Sequence, residues 1–331
     1  MKEKYKIINN FLNAYCNTMD DSFFLKNLDY YFELSMGVYE IINIYDSKIG
    51  EQNIEKATPI SGTESLEIAS NFIKEKVPKY EERFEQYLRN GVFDFHDDSE
   101  CQFGASSGEE DNHRFIDVNL HYNYTDPPAI IHEFMHQINL EQGVYHQPRY
   151  TLTEAISIYY ETLVFDYMES VGYDRQQVNM ARRFRTIDCY DTSMDLINKI
   201  LLLNSYLSFG PLSDETYEER EKYELSNWAD KDEYIKTINT TFKQLTEPEF
   251  IFPDELARYI LGTLIAYDSV TKNMNINKFD KLNKYIKYES VLNSLSKVGI
   301  DISNAEGLLN SFKNEVERID DNLKEESKKK K

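Results

Sequence analysis

Apolar residues recur at three- and four-residue steps through most of the chain, and that period predicts a mainly α protein. Leu25, Leu28, Tyr31, Phe32 and Met36 form one such stripe. Leu66, Ile68, Phe72, Ile73, Tyr80, Phe84 and Leu88 form another along SLEIASNFIKEKVPKYEERFEQYLRN, where Pro78 predicts a break or kink. Nearer the end, NKFDKLNKYIKYESVLNSL and AEGLLNSFKNEVERIDDNL predict two further helices on either side of Gly299. No internal repeat is visible.

Between Gly91 and Asn123 the helical period fades. GVFDFHD and CQFGASS are short and glycine-bounded, and HRFIDVNLHYN alternates, with Phe115, Val118, Leu120 and Tyr122 near a two-residue period. These stretches predict a small antiparallel β-sheet, with SSGEEDN as a turn. A helix should follow in YTDPPAIIHEFMHQINL, with Asp126 as its cap and Pro127 at its first position, where a missing N–H costs nothing.

Composition narrows the function classes. The chain has 331 residues, enough for one large domain or two modest ones, and 41% are hydrophobic. A net charge of -21 argues against nucleic acid as a partner, because phosphate neutralisation needs basic surface. The basic run Lys328 to Lys331 reads as a solvated tail. Cys16, Cys101 and Cys189 are odd in number and widely spaced, so no disulfide framework or CxxC metal pair is expected. No secretory leader or membrane span is legible, and the expectation is a cytoplasmic protein with no membrane partner. Nothing in the sequence speaks to oligomeric state.

One short stretch carries the chemistry. Residues four apart share a helix face, so His132 and His136 can present two imidazoles to one metal ion, with Glu133 beside them. This is the HExxH arrangement of zinc hydrolases, two nitrogen ligands and a carboxylate general base. A catalytic zinc usually has three protein ligands. The extended HExxHxxGxxH pattern is excluded, because Asn139 and Gln142 stand where it needs glycine and histidine. Glu154, 18 positions after His136 on a following helix, is the candidate third ligand. A competing reading makes Thr151 to Glu154 a capping box, with Thr151 as N-cap. Ser157 and Glu161 follow near the same face, and Glu161 is either a partner that orients a ligating histidine or a surface acid.

These pieces occur in an order that resembles the thimet oligopeptidase and oligoendopeptidase F family of zinc metallopeptidases. SLEIASNFIKEKVPKYEERFEQYLRNGVFDFHD resembles the helix and turn entering that family's catalytic region. CQFGASS, then FIDVNLHYNYTDPPAIIHEFMHQIN, resembles its strands and zinc helix. TEAISIYYE resembles its glutamate helix, and DELARYILGTLIA its tyrosine–glycine helix. The resemblance covers roughly residues 62–270. It implies a helical zinc-peptidase fold with the sheet beside the HExxH helix; outside that region the chain is read as an N-terminal helical segment over 1–61 and C-terminal helices with the basic tail over 271–331. The resemblance further implies one Zn2+ per chain on His132, His136 and Glu154, Glu133 as base, and hydrolysis of short or unfolded peptides lying along the exposed strand.

There are departures. Family members are far longer, which implies a reduced helical cap. Met135 replaces the usual glycine of the zinc motif. All six histidines fall between 96 and 146, so the family's transition-state histidine has no counterpart. Of the tyrosine pair in that region Tyr259 alone aligns, either as a donor to the oxyanion or as a packed aromatic. Two alternatives stay open: a non-catalytic zinc- or peptide-binding protein on a peptidase scaffold, and a carboxypeptidase Taq-like enzyme. That last family carries histidine where Thr153 stands here. His121, Tyr145, His146 and Tyr150 are weaker candidates for substrate contact, and His96 and His113 read as surface residues.

Overall fold

A computed structural model describes residues 1–19, 22–49, 59–97, 105–110, 113–142, 150–215, 217–218, 231–246, 250–278, 281–282 and 291–329. Most of them are helical. In chain order the helices are α1 (Lys2–Met19), α2 (Phe23–Lys26), α3 (Leu28–Ile49), α4 (Gly62–Lys76), α5 (Glu81–Arg89), α6 (Asp126–Glu141), α7 (Tyr150–Ser170), α8 (Arg175–Phe209), α9 (Lys231–Thr246), α10 (Pro253–Thr271), α11 (Val291–Val298) and α12 (Ala305–Lys329). The break expected at Pro78 is present. α4 stops at Lys76, a 3-10 turn spans Pro78–Tyr80, and α5 restarts at Glu81. The buried stripe passes from Ile68, Ala69, Phe72 and Ile73 on α4 to Phe84 and Tyr87 on α5. The stripe's last member is thus Tyr87, with Leu88 only half-buried.

The strands are β1 (Phe93–His96), β2 (Ala105–Glu110) and β3 (His113–Asn119), in sheet order β1-β3-β2. β2 and β3 pair antiparallel, as the short connection between them requires. β1 joins the other side of β3 in parallel, so the sheet is mixed rather than antiparallel throughout. Two details differ from the sequence reading. The residues read as a turn, SSGEEDN, supply most of β2, whose pairing with β3 runs out to Glu110 opposite His113. The buried face of β3 is Ile116 and Val118, both fully buried, while Phe115 is 36% exposed on the other face. A two-residue period admits one phase only, and Phe115 belongs to the opposite one.

The chain divides into two compact units. The first comprises residues 1–39 and 190–260. Within it α1 packs against α9, with Lys4 donating to Asn239 Oδ1 at 2.6 Å, and Tyr15 donates to Asp254 Oδ1 at 2.9 Å. The second comprises residues 40–189 and 261–331 and contains the sheet, α4 to α7 and α12.

In the second unit α6 is the central element, packed on α4, α7, β2 and β3. Phe134 on α6 is fully buried and meets Phe84, Tyr87 and Tyr80 edge-on, with centroids 5.0, 5.8 and 6.3 Å away. Phe134→Ala should therefore cost about 3–5 kcal/mol in chemical denaturation. A loss under about 1 kcal/mol would contradict this packing.

Candidate metal centre

α6 is buried on nearly every face, so it is a core helix rather than an amphipathic surface one. Polar side chains on such a helix need partners, because burial without hydrogen bonds is costly. His132, Glu133 and Gln137 are all under 9% exposed, and each finds one. The helix begins one residue earlier than expected. Thr125 holds the cap position, and Asp126 is the first helical residue, buried, with its carboxylate accepting the His121 N–H at 3.0 Å. Pro127 and Pro128 follow in the first turn, where their missing N–H groups have no helical partner to lose.

Gln137 sets the helix against the sheet. Its amide donates to Gly108 O at 2.8 Å and Phe115 O at 2.9 Å, the two residues that face each other across β2 and β3. The Phe115 ring packs over Gly108, where a Cβ would stand 2.9 Å from Phe115 Cζ and push the ring aside. With the Gly108 carbonyl held by Gln137, the neighbouring Ser107 reaches Glu133 one turn earlier on the helix. Ser107 Oγ donates to Glu133 Oε2 at 2.7 Å. At the other end of α6, Arg83 on α5 pairs with Glu141 at 3.0 Å.

His132 and His136 point their Nε2 atoms at each other across 3.0 Å. Glu154, on the first turns of α7, brings Oε1 to 3.4 Å from His136 Nε2 and Oε2 to 3.6 Å from His132 Nε2. Thr151 lies inside α7, so it cannot serve as the N-cap of a Thr151–Glu154 box, and the Glu154 carboxylate is turned to the histidines. Gly262 on α10 lets the helices close over this point, because a Cβ there would stand 2.8 Å from Glu154 Cβ and 3.1 Å from the Ala155 N.

This donor set suits a metal. Two ligands of a tetrahedral ion at ordinary zinc bond lengths stand about 3.3–3.5 Å apart, and the three separations here are 3.0, 3.4 and 3.6 Å. The three residues offer ligand atoms all within 4.8 Å of one another. The electrostatics agree. Burial pulls the His136 imidazole down, but the Glu154 carboxylate, with Glu133 and Glu161 near, raises its pKa to about 9. The surrounding carboxylates thus favour positive charge at this point. Glu154 is the most exposed of the three, at 26% of its side chain, so the centre opens to solvent on that side.

Glu161 is no surface acid. It is 4% exposed, and its Oε2 lies 2.9 Å from His132 Nδ1. Arg185 on α8 grips it from behind, Nε to Oε1 at 2.5 Å and Nη2 to Oε2 at 2.9 Å. Burial alone would raise the Glu161 pKa, but the guanidinium and the His132 hydrogen bond hold it down at about 2. Ser157 is fully buried on α7.

The other sequence candidates lie elsewhere. Tyr259 is half-buried on α10 and belongs to the first unit, whereas the histidine–glutamate cluster belongs to the second. His96 pairs with Asp117 at 2.9 Å; His113 and the side chain of His121 are exposed. Cys101, Tyr145, His146 and the side chain of Tyr150 lie outside the described residues. Ser107 and Arg185 were not singled out from the sequence, and no local signal marks them, since each reaches the centre from a remote segment; Gly262 entered only as the glycine of the DELARYILGTLIA stretch, with no role given to it. Gln137 did have one: it is a polar residue four after Glu133, on a helix too apolar to face water.

No protein-family model matches the sequence, and no curated protein matches it. Solved structures do share the fold. PZ peptidase A, solved with an inhibitor, aligns with a TM-score of 0.63 at 11% identity, over 91% of this chain and 59% of its own. A chain assigned as an oligoendopeptidase F aligns at 0.60 and 15% identity, over 97% and 65%. Another with that assignment, from Bacillus anthracis str. Ames, aligns at 0.54 and 16% identity, over 95% and 57%. The fold is thus that of helical peptidases, and this chain spans between 57% and 65% of the length of the last two and 59% of the first. Among the described residues no helix is long and apolar enough to cross a membrane.

Proposed function

We propose that the protein is a zinc-dependent metallopeptidase of the thimet oligopeptidase and oligoendopeptidase F type, with one zinc held by His132, His136 and Glu154. The observation that carries this reading is the convergence of those three donors in a fold shared with peptidases, with Glu133 next to His132 and turned to the sheet edge. Two imidazoles and one carboxylate favour zinc among divalent ions. Bound there, zinc would supply Lewis acidity, polarising a peptide carbonyl and acidifying water.

The chain's own residues would do the rest. Glu133 takes the proton from the attacking water at its carboxylate and passes it to the leaving amine. Ser107, donating to Oε2 at 2.7 Å, would restrain that carboxylate from the sheet side. Glu161 keeps the Nδ1–H of His132 engaged, so that Nε2 is free to ligate. β2 lies at the edge of the described sheet, and Ser107 sits on it. A peptide adding to that edge by main-chain hydrogen bonds would run past Glu133, which suits short or unfolded substrates.

The test is a panel of internally quenched peptides of several lengths, assayed with metal content measured on the same sample. Cleavage that is lost with a chelator and regained with zinc is expected. Stoichiometric zinc with no turnover on any peptide would instead favour a non-catalytic binder, and release of single C-terminal residues a carboxypeptidase.

A further inference from the structure

We propose that Arg185 is a positioning residue for the metal centre, acting through Glu161 to fix the orientation and tautomer of His132. Glu161 is a carboxylate buried to 4% exposure, and a buried anion needs compensating partners from more than one side. Arg185 provides two of them in one plane, Nε on Oε1 at 2.5 Å and Nη2 on Oε2 at 2.9 Å. A planar fork gripping both oxygens stops rotation of the carboxylate, which a single-point donor cannot do. Oε2 then has one direction left, toward His132 Nδ1 at 2.9 Å. With Nδ1 donating its hydrogen to Oε2, the lone pair of His132 lies on Nε2, the atom that faces His136 Nε2 and Glu154. Arg185 is itself braced by Asp188, three residues on along α8, at 3.2 Å.

The neighbouring arginines of α8 show what a purely structural role looks like. Arg182 meets Asp166, Glu169 and Glu315, and Arg183 meets Asp320, tying α8 to α7 and α12. In these pairings the partners are Asp166, Glu169, Glu315 and Asp320, none of them the acid on a histidine of the cluster. Arg185 is different, because the acid it grips is the one on His132.

This inference rests on the zinc reading, and the experiment separates the two. Zinc affinity is measured by competition with a chromophoric chelator, and the visible spectrum of the cobalt-substituted protein is recorded, for wild type, Arg185→Gln, Arg185→Lys, Glu161→Gln and the Arg185→Gln/Glu161→Gln double variant, with circular dichroism to check folding. Arg185→Gln should weaken zinc by about 10–100-fold and alter the cobalt bands. The double variant should bind no more weakly than Glu161→Gln alone, because Arg185 acts only through Glu161. Arg185→Lys, which restores the charge but not the fork, should remain weakened at least several-fold, and it carries the test if Arg185→Gln does not fold. Wild-type affinity in a folded Arg185→Gln or Arg185→Lys variant, or additive losses in the double variant, would overturn the role of Arg185 and leave the zinc reading standing. Absence of zinc binding by the wild type would overturn both.

Discussion

Glu133→Gln should abolish peptide cleavage to within the assay limit, a loss of about 10²–10⁴-fold, while zinc stays bound at wild-type affinity. The size follows from removing a general base. The side chain is the right one to change because glutamine keeps its shape and an amide oxygen that can still accept from Ser107 Oγ, now 2.7 Å from the carboxylate. The wall of the site and its link to β2 are therefore preserved. Glu133 is not among the residues whose donor atoms converge on one point, so metal binding has no reason to change. The measurement is turnover of the best peptide beside zinc content by elemental analysis. Turnover within tenfold of wild type would remove Glu133 from the proton transfer, and loss of zinc would mean it belongs to the ligand set.

Glu154→Ala should have the second large effect, on the metal itself. Alanine retains the Cβ that faces Gly262 and adds no atoms, so the close approach of α7 and α10 survives. What disappears is the carboxylate that stands 3.4 and 3.6 Å from the two histidine nitrogens. Two ligands in place of three should weaken zinc by more than the about 100-fold that marks the upper range for losing an outer-shell partner, and cleavage should fall in step at limiting zinc. Competition with a chelator measures the first and a zinc titration of activity the second. Full-affinity zinc in this variant would refute Glu154 as a ligand.

The helices were legible because their period is local. The break at Pro78 follows from the ring's geometry and needs no tertiary context, and α4 and α5 stop and restart around it. The zinc-type motif was legible for the same reason: an i, i+4 pair on a helix puts both histidines on one face whatever surrounds it. Glu154 was reachable only as a choice between a ligand and a capping box, and the start of α7 at Tyr150 takes Thr151 out of the cap position. Glu161 was likewise left between an orienting partner and a surface acid; burial and the 2.9 Å contact with His132 Nδ1 place it inside.

The sheet was half legible. Two-residue alternation marks a strand but does not say which phase faces the core when both carry apolar residues, and here Ile116 and Val118 are inside while Phe115 packs over Gly108. Pairing direction is a long-range property, so the parallel junction of β1 with β3 could not be read from either strand alone.

By itself, then, the sequence determined a mainly helical chain, a proline-broken helix pair, and a helix that presents His132 and His136 on one face with Glu133 beside them, because each of these depends on spacing within a few residues. Only the tertiary structure decided how the centre is completed. Ser107 from β2, Glu154 and Glu161 from α7, Arg185 from α8 and the bare backbone at Gly262 on α10 meet around α6. Their partnership depends on the folding of segments far apart in the chain, and side-chain hydrogen bonds of about 3 Å cannot be inferred from separations of many residues.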